Sequence, residues 1–166
     1  PIVEETPVLE EPPAPLPTAT FIIRSGGAVL YNGSVTIPEE STVEITDSTG
    51  TPHSVSSRSV LAFLVSLDAA HDEFAVSNLT YYSSYSSFYL KCITPSSESE
   101  LCDNWQYAVG STTPFTSIDT TILSGSETVG LYFGSPHRVS LSAASVTKGT
   151  SFTASAESYN YADNTW

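Results

Sequence analysis

His71-Asp72-Glu73, set in a chain rich in serine, supplies the parts of a general base and an orienting carboxylate. A hydrolase built from them would hold its nucleophile on a sharp turn of the G-x-S-x-G type, and no such elbow occurs. At the end of a helical stretch the HDE run reads as solvated surface, and Glu39-Glu40 beside Pro38 read the same way. Phosphate-binding loops, dinucleotide fingerprints and calcium loops are also missing. The expectation is a protein that is not an enzyme and carries no cofactor.

Cys92 and Cys102 are the remaining reactive pair, separated by the polar stretch "ITPSSESEL". In a secreted chain this spacing reads as a disulfide that limits the freedom of the unfolded loop, contributing about 2 to 3 kcal/mol. A zinc site would need further soft ligands, and His53, His71 and His137 stand at no ligand-like spacing from either cysteine. No metal is expected.

Aromatic residues offer binding rather than reaction. Tyr81, Tyr82, Tyr85, Phe88 and Tyr89 crowd one stretch, and Trp105 and Tyr107 follow. Core packing explains them, and so does an exposed tyrosine face, Tyr81, Tyr82, Tyr85 and Tyr89, that meets a glycan or a protein. Strict alternation would send Tyr82 and Tyr85 to opposite faces. Asn32-Gly33-Ser34 and Asn78-Leu79-Thr80 match glycosylation acceptors, a short pattern that also arises by chance.

Composition narrows the setting. Eighteen acids against five Lys and Arg give a formal charge of −13, which repels nucleic acid and anionic lipid. Charged residues make up only 14%, and Ser, Thr and Asn supply the polarity, as in extracellular β-proteins. Pro1 and the lack of methionine point to a trimmed product, most simply one whose signal peptide is removed. No apolar run reaches the roughly 18 residues of a membrane helix, so no membrane insertion is expected from this segment.

The elements that must position these residues divide the chain in three. Residues 1–19, "PIVEETPVLEEPPAPLPTA", dense in proline and acid, read as an extended leader or linker in which Ile2, Val3, Val8 and Leu9 are the apolar contacts. Residues 20–134 open with β-branched strands around Asn32-Gly33, a two-residue hairpin signal, and "TVEITDS" alternates like a half-buried strand. Val60, Leu61, Leu64, Val65 and Leu67 form a helical stripe with Ser56 or Ser57 as N-cap. Alternating strands then continue to "ETVGLYFG". Residues 135–166 give a strand, a turn at Lys148-Gly149 and a second strand, too few for a closed sheet. The fold class is α+β, mostly β, with one helix packed on a sheet and a short C-terminal β segment.

The stretch from "STVEITDSTG" to "SETVGLYFG" resembles the transcobalamin-like C-terminal domain, a β-grasp-like family of bacterial surface proteins. Trp105, Tyr107, Val109, Leu123, Gly125, Val129 and Phe133 match its W-x-Y-x-V strand and the strand that follows. The family usually continues the first strand with Asn-Gly, where this chain has Gly110-Ser111. No helical barrel of the vitamin B12 carriers is present, so cobalamin binding carries over to no residue. The tail, "VSLS" to "VTKGTSFTASAESY", resembles the opening strands of a bacterial immunoglobulin-like repeat.

The resemblance implies a surface module without enzymatic activity, with Trp105 and Tyr107 in its core. The expected function is a non-enzymatic extracellular structural or adhesive module, a candidate fibre subunit that assembles with other copies or other surface proteins through its leader and the open edge of its terminal sheet. The alternative is a small-molecule or glycan-binding module.

Overall fold

The computed structural model describes residues 15–134 and 137–158. Among them the chain forms β1 (Thr18–Ser25), β2 (Ala28–Thr36), β3 (Thr42–Thr46), β4 (Pro52–Ser56), α1 (Val60–Ala70), β5 (Phe74–Tyr82), β6 (Ser87–Pro95), β7 (Leu101–Cys102), β8 (Trp105–Val109), β9 (Thr128–Phe133), β10 (His137–Leu141) and β11 (Ala154–Ser158). The class is α+β and mostly β, as the sequence pattern predicts.

A four-stranded sheet of order β2-β1-β9-β8 forms the centre. β1 pairs antiparallel with β2 and parallel with β9, although β1 and β9 lie at opposite ends of the domain's sequence. The pleat sends Phe21 and Ile23 of β1, and Val129 and Leu131 of β9, to one fully buried face. That face meets the helix: Phe21 and Phe63 rings lie 5.6 Å apart, and Val60, Leu61 and Leu64 complete the core. Burying each such side chain contributes roughly 1.5–3 kcal/mol. β1 begins at Thr18 with Ala19 buried, inside the stretch that composition assigns to the leader.

The first hairpin does not turn at Asn32-Gly33. Ser25 pairs with Ala28 across Gly26-Gly27, and Asn32 and Gly33 lie within β2 opposite Ile22 and Phe21. Gly26, at φ +53°, supplies the left-handed backbone that the short turn needs. Gly33 has another use: a Cβ there would sit 2.5 Å from Tyr31 Oη, so the missing side chain makes room for the Tyr31 ring.

The helix also starts later than its apolar stripe suggests. Ser56 belongs to β4, paired with Thr42, and the Ser57 hydroxyl accepts from Ser41 N and donates to Glu39 O. Ser59 is the N-cap, accepting from Ala62 N at 3.1 Å. The free donors of the first turn are met by a loop: Val60 N–H donates to Thr121 O and Leu61 N–H to Ile118 O, each at 3.0 Å. The segment between β8 and β9 is thereby tied to the helix N-terminus.

β5, β6 and β7 form a second sheet, and β3 pairs only with β4. β7 is brief: it pairs Cys102 with Cys92 and Leu101 with Ile93, and the two cysteines are joined by a disulfide. β10 and β11 form a separate hairpin, closed by a turn at Thr147–Thr150, with Val139 and Leu141 exposed. No helix among the described residues is long and apolar enough to cross a membrane.

Replacing both cysteines by serine should lower unfolding free energy by about 2–3 kcal/mol, because the unfolded loop regains its freedom. A urea titration of the double variant beside the oxidised protein measures it; equal midpoints would mean that the bond adds no stability.

Candidate functional site

The chain leaves the disulfide at a kink. Asp103 has φ +64°, in the left-handed region that Asp tolerates better than most residues. Its N–H donates to Lys91 O at 2.8 Å, the last link between β6 and the departing chain, and Gly134 N–H then donates to Asn104 O at 2.9 Å. β8 therefore joins β9 in the central sheet while β6 stays with β5. Between the diverging strands lies a cleft of about 320 Å³.

Phe88, Tyr89 and Leu90 form one wall of this cleft, Trp105, Gln106 and Tyr107 the other, and residues 113–118 the third. None of its lining side chains is charged. Trp105 is buried against Phe133, and its indole N–H donates to Leu101 O at 2.9 Å. The Tyr107 hydroxyl donates to Thr116 O at 2.7 Å and lies 2.6 Å from Thr121 Oγ1, fastening the third wall. Ser87 Oγ donates to the largely buried Asp119 at 3.2 Å, securing that wall to β6. On this anchored loop Phe115 is 96% exposed.

The backbone edge of β8 also faces the cleft. Gly134 bonds to Asn104 and Gly110 to Thr128, so alternation turns Gln106 and Ala108 towards β9 and Trp105 and Tyr107 away from it. Val109, the next outward residue, donates to Thr112 O at 2.9 Å. On β6, Lys91 faces β7, but the register shift between Asn78 and Leu79 reverses the alternation, and Tyr89 is turned to its β5 partner Thr80, Leu79 O being taken by Ser48 N on the far edge of β5. Among the described residues no backbone group pairs with these outward groups of Trp105 and Tyr107.

The tyrosines divide. Tyr82, Tyr85 and Tyr89 form an exposed cluster, with ring centroids 6.5 Å apart for Tyr82–Tyr85 and 6.4 Å for Tyr82–Tyr89. Tyr82 and Tyr85 share a face because Tyr85 lies in the turn after β5, where its N–H donates to Tyr82 O, and strand alternation no longer applies. Burial, reinforced by the Asp103 carboxylate, pushes the Tyr89 hydroxyl up from its ordinary pKa. Tyr81 points to the other side and stacks on His53 at 3.6 Å, with Phe88 edge-on at 5.1 Å.

Of the residues singled out from sequence, Cys92 and Cys102 are bonded to each other, Trp105 is in the core and Tyr107 is half-buried beside it. Ile2, Val3, Val8 and Leu9 lie outside the described residues. Glu100 lies close to both sulfurs, but the disulfide leaves no thiolate to coordinate a metal. His71 is half-buried, 3.8 Å from Glu73, with its ring against Tyr31. Phe115 escaped notice in the sequence; its signal is a lone aromatic after Pro114 in a loop of Ser and Thr.

His53 belongs to a second polar feature that pattern alone does not reveal. Its Nε2 lies 3.0 Å from Asp47 Oδ2, while Asp47 Oδ1 accepts from the Thr49 hydroxyl and from Thr49 N and Thr51 N. The Thr49 hydroxyl first, then His53 and the amides, hold this carboxyl well below the usual range. A wider groove of about 550 Å³ lies between α1 and β3, lined by Val43, Phe63 and Val65 among others.

No family model, curated protein or solved structure matches this chain.

The depressed Asp47 carboxyl has a pH consequence. Its folded pKa lies below the unfolded value near about 4, so its stabilisation is present above that pH and is lost as pH falls below it. Asp47→Asn should flatten the fall in urea midpoint between pH 5 and pH 2; an unchanged slope would mean that the turn does not depend on the charge.

Proposed function

We propose that this protein is a non-enzymatic, extracellular adhesive module whose working surface is the cleft between β6 and β8 with its aromatic rim. The single observation that carries this reading is Phe115, held on an anchored loop with its ring almost wholly in water, lining the same cleft as Tyr89, whose ring clusters with the exposed Tyr82 and Tyr85. Aromatic side chains presented this way bring large contact area at small conformational cost and are favoured anchors at interfaces. Loops placed by a rigid scaffold are where binding is concentrated. An acidic surface and a structural disulfide fit an oxidising, extracellular setting.

A β-grasp-like unit is the architecture we infer for residues 20–134. Its support is the order of events along the chain: an N-terminal hairpin, a helix packed across the sheet, and a last strand that pairs parallel with the first. The immunoglobulin-like reading of the tail rests on the β10–β11 hairpin alone.

Glycan or small-molecule binding is the second reading, favoured by the cleft's volume, which falls at the lower end of ligand pockets. Gln106, Thr113 and Ser117 offer hydrogen-bonding groups beside the aromatic walls.

Arrays of glycans and of peptides, probed with the protein, test the reading. Tyr85→Ala combined with Phe115→Ala should reduce the retained signal roughly tenfold or more, while stability stays within about 0.5 kcal/mol because both rings are exposed. Full retention by the double variant would remove the aromatic rim from the function. A response confined to sugars would favour the second reading.

A further inference from the structure

The cleft's outward backbone groups and uncharged walls describe an occupant that brings its own peptide edge. A glycan could stack on Tyr89 or Phe115, but it would leave the paired N–H and C=O groups of Trp105 and Tyr107 without the regular partners that a strand supplies. Strand addition satisfies such an edge, with main-chain hydrogen bonds giving affinity and alternate side chains entering pockets.

The chain itself carries a matching segment. Residues 2–6, "IVEET", are free of proline between Pro1 and Pro7, and Ile2, Val3 and Thr6 are β-branched strand formers. Their length equals that of β8, which has five residues. Glu4 and Glu5 would meet no charged side chain among the cleft's lining residues. Residues 7–14 provide a tether of up to about 27 Å when extended. The proline density that follows, "PPAPLP", favours a stiff spacer that carries the segment away from its own fold and opposes a turn back onto it.

Resting on the adhesive reading of this same cleft, we propose that residues 2–6 of one copy add as a strand to the outer edge of β8 in a neighbouring copy, with Ile2 or Val3 entering between Tyr89 and Phe115. The contact is head-to-tail, because donor segment and acceptor edge are different surfaces, so repetition builds chains of subunits. Both partners are acidic, and added salt therefore strengthens the association by screening their repulsion.

The test uses the full chain in two variants that leave the fold's core untouched. Ile2→Asp with Val3→Asp spoils the donor, and Phe115→Ala with Tyr89→Ser spoils the acceptor. Sedimentation velocity over a concentration series should show the wild type self-associating and each variant associating roughly tenfold or more weakly. Mixing the two variants should restore one heterologous contact and yield dimers that grow no further, because one partner keeps its acceptor and the other its donor. Matching circular dichroism spectra and thermal midpoints establish that both variants are folded.

A wild type that stays monomeric at high concentration and high salt overturns the proposal. So does a donor variant that assembles like the wild type. Variants that fail to complement when mixed point to an intramolecular strap and overturn it equally. Any of these results, with array binding still lost in the Tyr85→Ala, Phe115→Ala variant, would leave the adhesive cleft standing and remove only its assignment to this segment.

Discussion

Cys92 and Cys102 face each other across the short β6–β7 ladder, and the cleft exists because the chain can leave β6 immediately after that pair. The disulfide fixes the point of divergence, and the left-handed backbone of Asp103 turns the chain away from it. β8 then belongs to the central sheet, while β6 keeps its place beside β5. Without a fixed junction, the two sheets would be joined at this point only by a two-residue strand. An isolated pairing that short contributes little by itself. A covalent link there turns a weak meeting of sheets into a rigid wedge.

The third wall is rigid for a different reason. The loop between β8 and β9 is long, and such loops are usually mobile or functional. Here its carbonyl groups accept from the first turn of α1, its threonines receive the Tyr107 hydroxyl, and Asp119 receives Ser87. These bonds hold Pro114 and Phe115 at the mouth of the cleft. Ordering an exposed phenylalanine in this way means that a binding partner need not supply that ordering free energy itself. Helix capping, core packing and site geometry are thus one set of contacts.

Much of the fold was legible in the sequence, and particular residues show why the rest was not. Alternation in "TATFIIRS" and "TVGLYF" marks strands, but nothing local says that Phe21 lies beside Val129 in a parallel pair, because that pairing is decided by which faces must be buried together. Asn32-Gly33 imitates a hairpin turn; Gly26-Gly27 makes the turn instead, since it places Ala19, Phe21 and Ile23 on the core side while the Tyr31 ring uses the space at Gly33. The helix was visible as an apolar stripe, yet its start moved to Ser59 because Ser56 and Ser57 were taken up by β4 and its connections. The disulfide followed from spacing and setting. Phe115 did not stand out, because no single-sequence pattern encodes the loop contacts that fix its exposed position.

Residue-resolved amide hydrogen exchange on the isolated protein tests the central claim, that β8 presents an open edge to the cleft, more directly than any binding assay. The amides of Trp105 and Tyr107 should exchange at least about tenfold faster than those of Gln106 and Ala108, which are bonded within the central sheet. Equal, strong protection at all four positions would contradict the open edge, and with it the cleft as a site for an added strand.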